Sequence, residues 1–456
     1  MISPEVIEEV KRLADPVLLI GGRVKLWKSG IAYAGSCPFH DERGERQASF
    51  RVYPKDKRFV CFGCGASGDI FQFFQRADGK AFPVVVRELA ATLGIVIPPE
   101  RAPSPEEQRE RGERASLLGA CEAATSHWQR NLSGGEGAKA REYLAERRVT
   151  GEAAHAFRLG FALPVWHDLE RALGAAKIAH GVQMAAGVIA SHEVPGKGTR
   201  YYDRFRDRIV LPIEDGHGRI IGFGARALSA DADAKYLNGP ETPLFKKSRV
   251  LYGLRQAREV IRGTGRAILV EGYFDAIALH QAGFTGTVAA CGTAVSPEQL
   301  ELLAGAGCKE LVLLFDGDEA GATAAARSAR VLLQANLTVT VARVPTASHG
   351  QSDPDVLVGR SGRRGVEEVL AAAKPLTEFL IDDALQRHAE GLGVQAPVEH
   401  KLAVLRTVMP FVLATPEGLP RATFERAVAR RLGIDIGPLR QELQRAARTE
   451  RPGSHP

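Results

Sequence analysis

Six carboxylates placed at or near the ends of apolar runs are the residues of this sequence best suited to chemistry. Residues 267–275 read AILVEGYFD, a β-type run followed by Glu271 and Asp275. Residues 311–321 read LVLLFDGDEAG and end a second run in Asp316 and Asp318. A third strand-like stretch, TVTVARVP at 338–345, precedes SDPD, which supplies Asp353 and Asp355. Carboxylates at the carboxyl ends of parallel strands converge on one crevice of an open α/β sheet, where ligands bind. Hard oxygen donors without thiol or imidazole suit Mg²⁺ or Mn²⁺ and hence phosphate chemistry. Any one motif alone could be a turn, a helix cap or part of a calcium loop. Three in order, each after a strand, are hard to read that way.

A second cluster is near the start. CPFH at 37–40 and CFGC at 61–64 give Cys37, His40, Cys61 and Cys64, two ligand pairs with two residues inside each. Cys3His is the composition of a closed structural zinc site. The strand-like ASFRVY and RFVCF between the pairs predict a zinc ribbon, and GASGDIFQFF predicts a turn entering a helix. Basic residues (Lys25, Lys28, Arg43, Arg46, Arg51, Lys55, Lys57, Arg58) alternate there with Phe39, Phe50, Tyr53, Phe59 and Phe62. That mixture suits a single nucleic-acid strand, through phosphate contacts and base stacking. Phe39, Phe50 and Phe62 are expected to be mostly ribbon core. Cys121, Cys291 and Cys308 lie among small and apolar neighbours and read as core residues.

The elements that must position these groups fit a chain of 456 residues with 45% hydrophobic and 25% charged content, enough for two or three domains. The formal net charge of +6 is compatible with a nucleic-acid partner. No apolar run approaches the roughly 20 residues that span a bilayer, and the first residues do not read as a signal peptide, so a cytoplasmic protein is expected. The proline- and charge-rich stretch 98–115 reads as a linker entering a helix. DRFRDRIVLPIEDGHGRIIGFGARAL (203–228) alternates around DGHG as a hairpin does. KYLNGPETPLFKKSRVLYGL (235–254) looks irregular and basic, and from about 370 the pattern is helical with no strand signal.

The order CPFH, CFGC, YLAERRV, DRFRDRIVLPI, GRIIGFGAR, KYLNGPETPLFKK, YGL, EGYFD, GTAVSPEQL, DGDEAG and DPD resembles that of DnaG-type bacterial primases, over residues 1 to about 445. The three acidic motifs resemble their TOPRIM domain. The resemblance implies a multidomain α/β protein: a zinc-binding ribbon domain (1–98), a linker (99–125), the N-terminal part of a mixed α/β polymerase core (126–262), a TOPRIM parallel sheet (263–347), and the DPD motif with a C-terminal helical subdomain (348–448). It implies synthesis of short RNA primers on single-stranded DNA for replication, from ribonucleoside triphosphates, through an RNA–DNA hybrid, by a monomer associated with the nucleoid and replisome. One structural Zn²⁺ and two or more catalytic Mg²⁺ or Mn²⁺ are implied. Glu271, Asp316, Asp318 and Asp355 would be metal ligands, with Asp353 and Asp275 supporting, and Glu271 either a ligand or the acceptor of the hydroxyl proton. Arg147, Arg226, Lys235, Asn238 and Lys247 would contact nucleotide or template.

Three departures stand out. The 20 residues 41–60 between the ligand pairs make a longer hairpin than is usual in the family. DPD is followed by Val356 where another acid is common. The sequence stops at Pro456, so the family's helicase-binding domain is not visible, and priming without helicase stimulation is expected. The competing readings are a TOPRIM nuclease, which needs neither KYLN nor a ribbon, and a catalytically inactive zinc-ribbon DNA-binding accessory protein, which has no reason to keep so many clustered like charges.

Overall fold

The computed structural model describes the chain except residues 1, 41–47, 98–103, 230, 293, 317–318, 346–352, 390–394 and 450–456, and describes 319–322, 324, 389 and 448–449 by backbone alone. Two compact units result, residues 1–109 and 110–456. The long ribbon loop and Asp318 fall mostly or wholly outside the described residues.

In the first unit, helices α1 (Pro4–Leu13) and α2 (Pro16–Gly21) precede strands β1 (Trp27–Ser29), β2 (Ala32–Gly35), β3 (Phe50–Tyr53), β4 (Arg58–Cys61) and β5 (Ser67–Asp69), followed by α3 (Ile70–Asp78) and α4 (Phe82–Thr92). The strands form one antiparallel sheet in chain order. Alternation decides its faces. Phe50, Val52 and Phe59 are buried against Phe71, Phe73, Val85 and Val86 of the helices, while Arg51, Tyr53, Arg58 and Val60 take the other face. Phe50, Phe59 and Phe73 also surround Phe39, with ring centroids 5.5–6.4 Å apart. Asp69 starts α3 with a reciprocal cap, accepting from the Gln72 N–H while Gln72 accepts from its own. Phe62 corrects the expectation made for it: it is 70% exposed.

The second unit begins within α5 (Pro105–Ser133), and Leu117, Ala120, Cys121 and Ala124, buried along that helix, correct the linker reading for the later part of 99–125. Then come α6 (Ala138–Glu146), α7 (Gly151–Ala156), β6 (Gly160–Ala162), α8 (Asp168–Ala175), α9 (His180–Ala185) and the hairpin β7 (Ile189–Val194)–β8 (Gly198–Asp203). Strands β9 (Arg208–Glu214), β10 (Ile220–Ala227) and β11 (Tyr236–Asn238) join β6 in an antiparallel sheet ordered β11-β10-β9-β6. The β9–β10 turn is the predicted DGHG hairpin, its Asp215 carboxylate accepting from the N–H groups of His217 and Arg219.

A parallel sheet follows, built from α10 (Leu254–Thr264), β12 (Arg266–Val270), α11 (Tyr273–Gln281), β13 (Thr287–Ala289), α12 (Pro297–Gly305), β14 (Glu310–Phe315), α13 (Glu319–Gln334), β15 (Thr338–Arg343) and α14 (Pro354–Ala371). Its order is β13-β12-β14-β15, closed at one edge by antiparallel β16 (Lys374–Pro375), a two-residue strand in the region expected to have none. Leu269, Leu311 and Leu313 pack to one face and Ile268, Val270, Val312 and Leu314 to the other, so both faces are covered and the strands read as continuous apolar runs. Helices α15 (Leu376–Ala389), α16 (Val398–Ala414), α17 (Leu419–Leu432) and α18 (Ile436–Thr449) extend the core on the Leu269 face. No helix among the described residues is long and apolar enough to cross a membrane.

Candidate active site and zinc centre

Because β12 and β14 run parallel, Glu271 and Asp316 emerge at the same edge of the sheet. Asp353 and Asp355 come from the start of α14, and Asp275 from the first turn of α11. All five line one cavity of about 320 Å³, together with Arg147, Lys235, Tyr236, Asn238, Tyr273, Phe274 and Cys291. Arg226 stands beside it, its guanidinium 4.8 Å over the Tyr236 ring. Lys247 sits on a 3-10 turn and is not among the lining residues.

Local structure explains how the antiparallel sheet meets this edge. A Cβ on Gly224 would come within 2.5 Å of the Tyr273 ring, so only glycine lets that ring lie against β10. Tyr273 then donates its hydroxyl to Asn238 Oδ1 at 2.6 Å, and Asn238 Nδ2 donates to the Cys291 carbonyl at 3.2 Å. Asn238 therefore ties β11 to both the start of α11 and the loop after β13. Cys291 holds φ 59°, an unusual backbone for a residue with a Cβ.

The charges are arranged around Asp355. Its N–H donates to Asp275 Oδ1 at 3.1 Å, so Asp275 caps α14 from another helix. Arg147 Nη1 donates to Asp355 Oδ2 at 2.7 Å. Asp355 Oδ1 is buried and meets no donor among the described residues. Burial, then the neighbouring Asp355, Asp353 and Glu271 charges, push the Asp275 carboxyl up to about 7, although the Asp355 N–H opposes them. An all-carboxylate donor set with mutual repulsion and a buried oxygen lacking a donor fits a divalent cation.

The raised Asp275 value has a measurable consequence. The folded protein holds this proton more tightly than the unfolded chain, whose carboxyl titrates near 3.9. Its contribution to stability is full below that value and is lost as pH rises through about 7. Asp275→Asn keeps the acceptor and removes the charge. In chelator at pH 8 it should melt roughly 3–8 °C above the parent, and at pH 4 the two should nearly coincide. Equal melting temperatures at pH 8 would show that no charge is stored there.

In the first unit, the ligand atoms of Cys37, His40, Cys61 and Cys64 lie within 4.8 Å of one another. Cys37 Sγ and Cys64 Sγ are 3.8 Å apart, and Cys61 Sγ is 3.7 Å from His40 Nδ1. Two sulfurs on one tetrahedral zinc, each at about 2.3 Å, stand roughly 3.8 Å apart. The geometry fits zinc. Burial would raise the Cys61 thiol, but the Ser49 hydroxyl and the N–H groups of Cys64 and Gly63 bring it down to about 7.

Sequence reading missed Tyr143, Tyr236 and Phe274 around the cavity, and a second aromatic group outside it. Trp166 is 58% exposed, with the Arg206 guanidinium 3.9 Å over its ring and Tyr202 edge-on at 5.6 Å. The Asp203 carboxylate caps α8, which starts two residues after Trp166, by accepting from the N–H groups of Leu169 and Glu170 at 2.7 and 2.9 Å. The one available signal for Tyr143 was its spacing of four from Arg147 on a helical pattern.

Comparisons with known proteins agree with the fold. Residues 127–258 match the family model of the DNA primase catalytic core, N-terminal domain; residues 2–104 match a CHC2 zinc finger, and 268–358 a Toprim-like domain. The DNA primase of Myxococcus xanthus is 39% identical over 438 residues, which cover 95% of this chain and 68% of that protein. That of Escherichia coli K12 is 33% identical over 442 residues, covering 97% and 73%. The zinc-binding and RNA polymerase domains of Aquifex aeolicus primase superpose with TM-score 0.59 at 29% identity, over 95% of this chain and 98% of that one. A DnaG primase catalytic domain bound to single-stranded DNA gives TM-score 0.62 at 30% identity, over 72% and 99%. The chain belongs to the DnaG-type DNA primase family.

Proposed function

We propose that the acidic cavity is where a primer 3′-hydroxyl attacks the α-phosphorus of a ribonucleoside triphosphate, expelling pyrophosphate. The activity is that of the family, synthesis of short RNA primers on single-stranded DNA. The observation that carries the site assignment is the convergence of Glu271, Asp275, Asp316, Asp353 and Asp355 with Arg147 and Lys235 in one cavity. Divalent cations, Mg²⁺ or Mn²⁺, held by Glu271, Asp316, Asp318 and Asp355 would stabilise charge on the reacting phosphate oxygens and lower the pKa of the attacking hydroxyl. Asp275 and Asp353 support that set, the first by fixing the start of α14. Glu271 serves either in that ligand set or as the acceptor of the hydroxyl proton as the new P–O bond forms. Arg147 and Arg226 bind the triphosphate, and Lys235, exposed at the cavity, adds a third positive charge. Asn238, at the end of β11, ties that strand to the start of α11 and to the loop after β13.

The template is single-stranded DNA, and the Trp166–Tyr202–Arg206 group is a ready stacking surface for it. Trp166→Ala should weaken single-strand binding roughly tenfold, as loss of one stacked base does, and leave the nucleotide KM unchanged. Unaltered affinity for an oligonucleotide by fluorescence anisotropy would remove this contact from the template path.

The direct test supplies a generic single-stranded template, ribonucleotides and Mg²⁺. Short RNA is expected. Template fragments in its place would identify a TOPRIM nuclease.

A further inference from the structure

We propose that Tyr143 is a positioning residue for the triphosphate, its hydroxyl yoking Arg147 and Arg226 into one phosphate clamp. The inference rests on reading the acidic cavity as the nucleotide site. Tyr143 is on α6, one turn before Arg147, whereas Arg226 is on β10, 83 residues further along the chain. The Tyr143 oxygen accepts from Arg147 Nε at 2.6 Å and from Arg226 Nε at 2.9 Å. One phenol oxygen thus holds two guanidinium groups that the chain delivers from different elements.

Both contacts use Nε and leave the terminal nitrogens for other partners. Arg147 Nη1 donates to Asp355. Arg226 Nη1 is buried and meets no acceptor among the described residues. A buried, charged N–H without an acceptor is unfavourable, and an anion arriving there relieves it. The faces of the two groups are fixed as well: Arg147 lies 5.0 Å over Phe274, and Arg226 lies 4.8 Å over Tyr236. Among the described residues, what is left to meet phosphate oxygens is the terminal pair of Arg226 and Nη2 of Arg147, with Arg147 Nη1 held by Asp355.

Two cations tethered to one neutral oxygen repel each other. Asp355 offsets one of them, but Asp355 is also a carboxylate suited to a divalent cation. A nucleotide arriving with its metal therefore competes for Asp355 and supplies phosphate oxygens to both forks at once. Without the Tyr143 oxygen, each arginine keeps its charge and its ring contact but loses its fixed Nε, and nothing couples one to the other.

Tyr143→Phe deletes the oxygen and keeps the ring, which stands 6.3 Å edge-on from Phe274. The full chain is assayed for priming on single-stranded DNA with Mg²⁺ and, separately, titrated with a non-hydrolysable ATP analogue. Nucleotide KM and analogue Kd should rise about tenfold, with kcat within threefold, because binding common to ground and transition states is what is lost. Single-strand affinity should not move, and the melting temperature should fall by no more than about 5 °C, the cost of two Nε donors losing their acceptor. Combined with Arg226→Ala, the loss should fall well short of the product of the two single effects, since both act through one contact. An analogue Kd within twofold of the parent would overturn the proposal, as would single effects that multiply in full or an activity loss that tracks a lowered melting temperature. A parent protein that primes but binds the analogue elsewhere, unaffected by Arg147→Ala, would overturn the nucleotide reading beneath it.

Discussion

Asp355→Asn is expected to reduce primer synthesis by a factor of about 10³ or more, on the scale seen when one preorganised electrostatic group is removed from an active site. The substitution is nearly isosteric, so what it changes is charge. Asp355 Oδ1 is buried and has no donor among the described residues, while Oδ2 accepts from Arg147 at 2.7 Å. An amide oxygen can still accept from Arg147, and the backbone N–H that donates to Asp275 is untouched. The fold should therefore survive, and without metal the variant should be at least as stable as the parent, because one of several crowded negative charges is gone. The stabilisation that millimolar Mg²⁺ or Mn²⁺ gives the parent in a melting experiment should largely disappear. Asp316→Asn should behave in the same way. Near-normal primer yield from either variant would mean that the metal site lies elsewhere.

The parts of this protein that could be read from sequence are those whose information is local. Each zinc ligand pair sits within four consecutive residues. Each strand-end acid follows its own apolar run, so β12, β14 and the start of α14 announce their carboxylates. Contacts between distant segments were not readable: nothing near Tyr143 in the chain points to Arg226, and nothing near Asn238 points to Tyr273. Gly224 is the exception in principle, since a glycine inside GFGAR marks a close approach without naming what approaches. Two errors were avoidable. Phe59 and Cys61 face inward on β4, so period-two alternation puts Phe62 outward, where it is found. Within α5, Leu117, Ala120, Cys121, Ala124 and Trp128 recur at three and four, a helical face that the charge and proline content nearby obscured. The two residues of β16 are too few for any pattern to show.

The ribbon is expected to depend on its metal. Cys37 and His40 precede β3, while Cys61 and Cys64 bracket the turn after β4, so one ion would tie together two segments that also meet through the short β2–β3 and β3–β4 ladders and the Phe39–Phe59 contact. Four protein ligands close the coordination sphere and leave no position for a reacting water, which makes the site structural. Structural zinc contributes on the order of 10 kcal/mol to small domains of this kind, comparable with the whole stability of an ordinary domain. Cys61→Ser removes the sulfur that the Ser49 hydroxyl and the Cys64 N–H hold at 3.2 and 3.5 Å, and the shorter oxygen cannot occupy the same point. Bound zinc should fall from about one equivalent to near zero by elemental analysis, and the melting transition of residues 1–109 should vanish. The 110–456 unit has its own core and should keep its transition within about 2 °C. Full zinc occupancy in the variant, or a parent protein purified without chelator that holds none, would refute the assignment of these four residues. Loss of both transitions together would instead show that the catalytic unit needs the ribbon in order to fold.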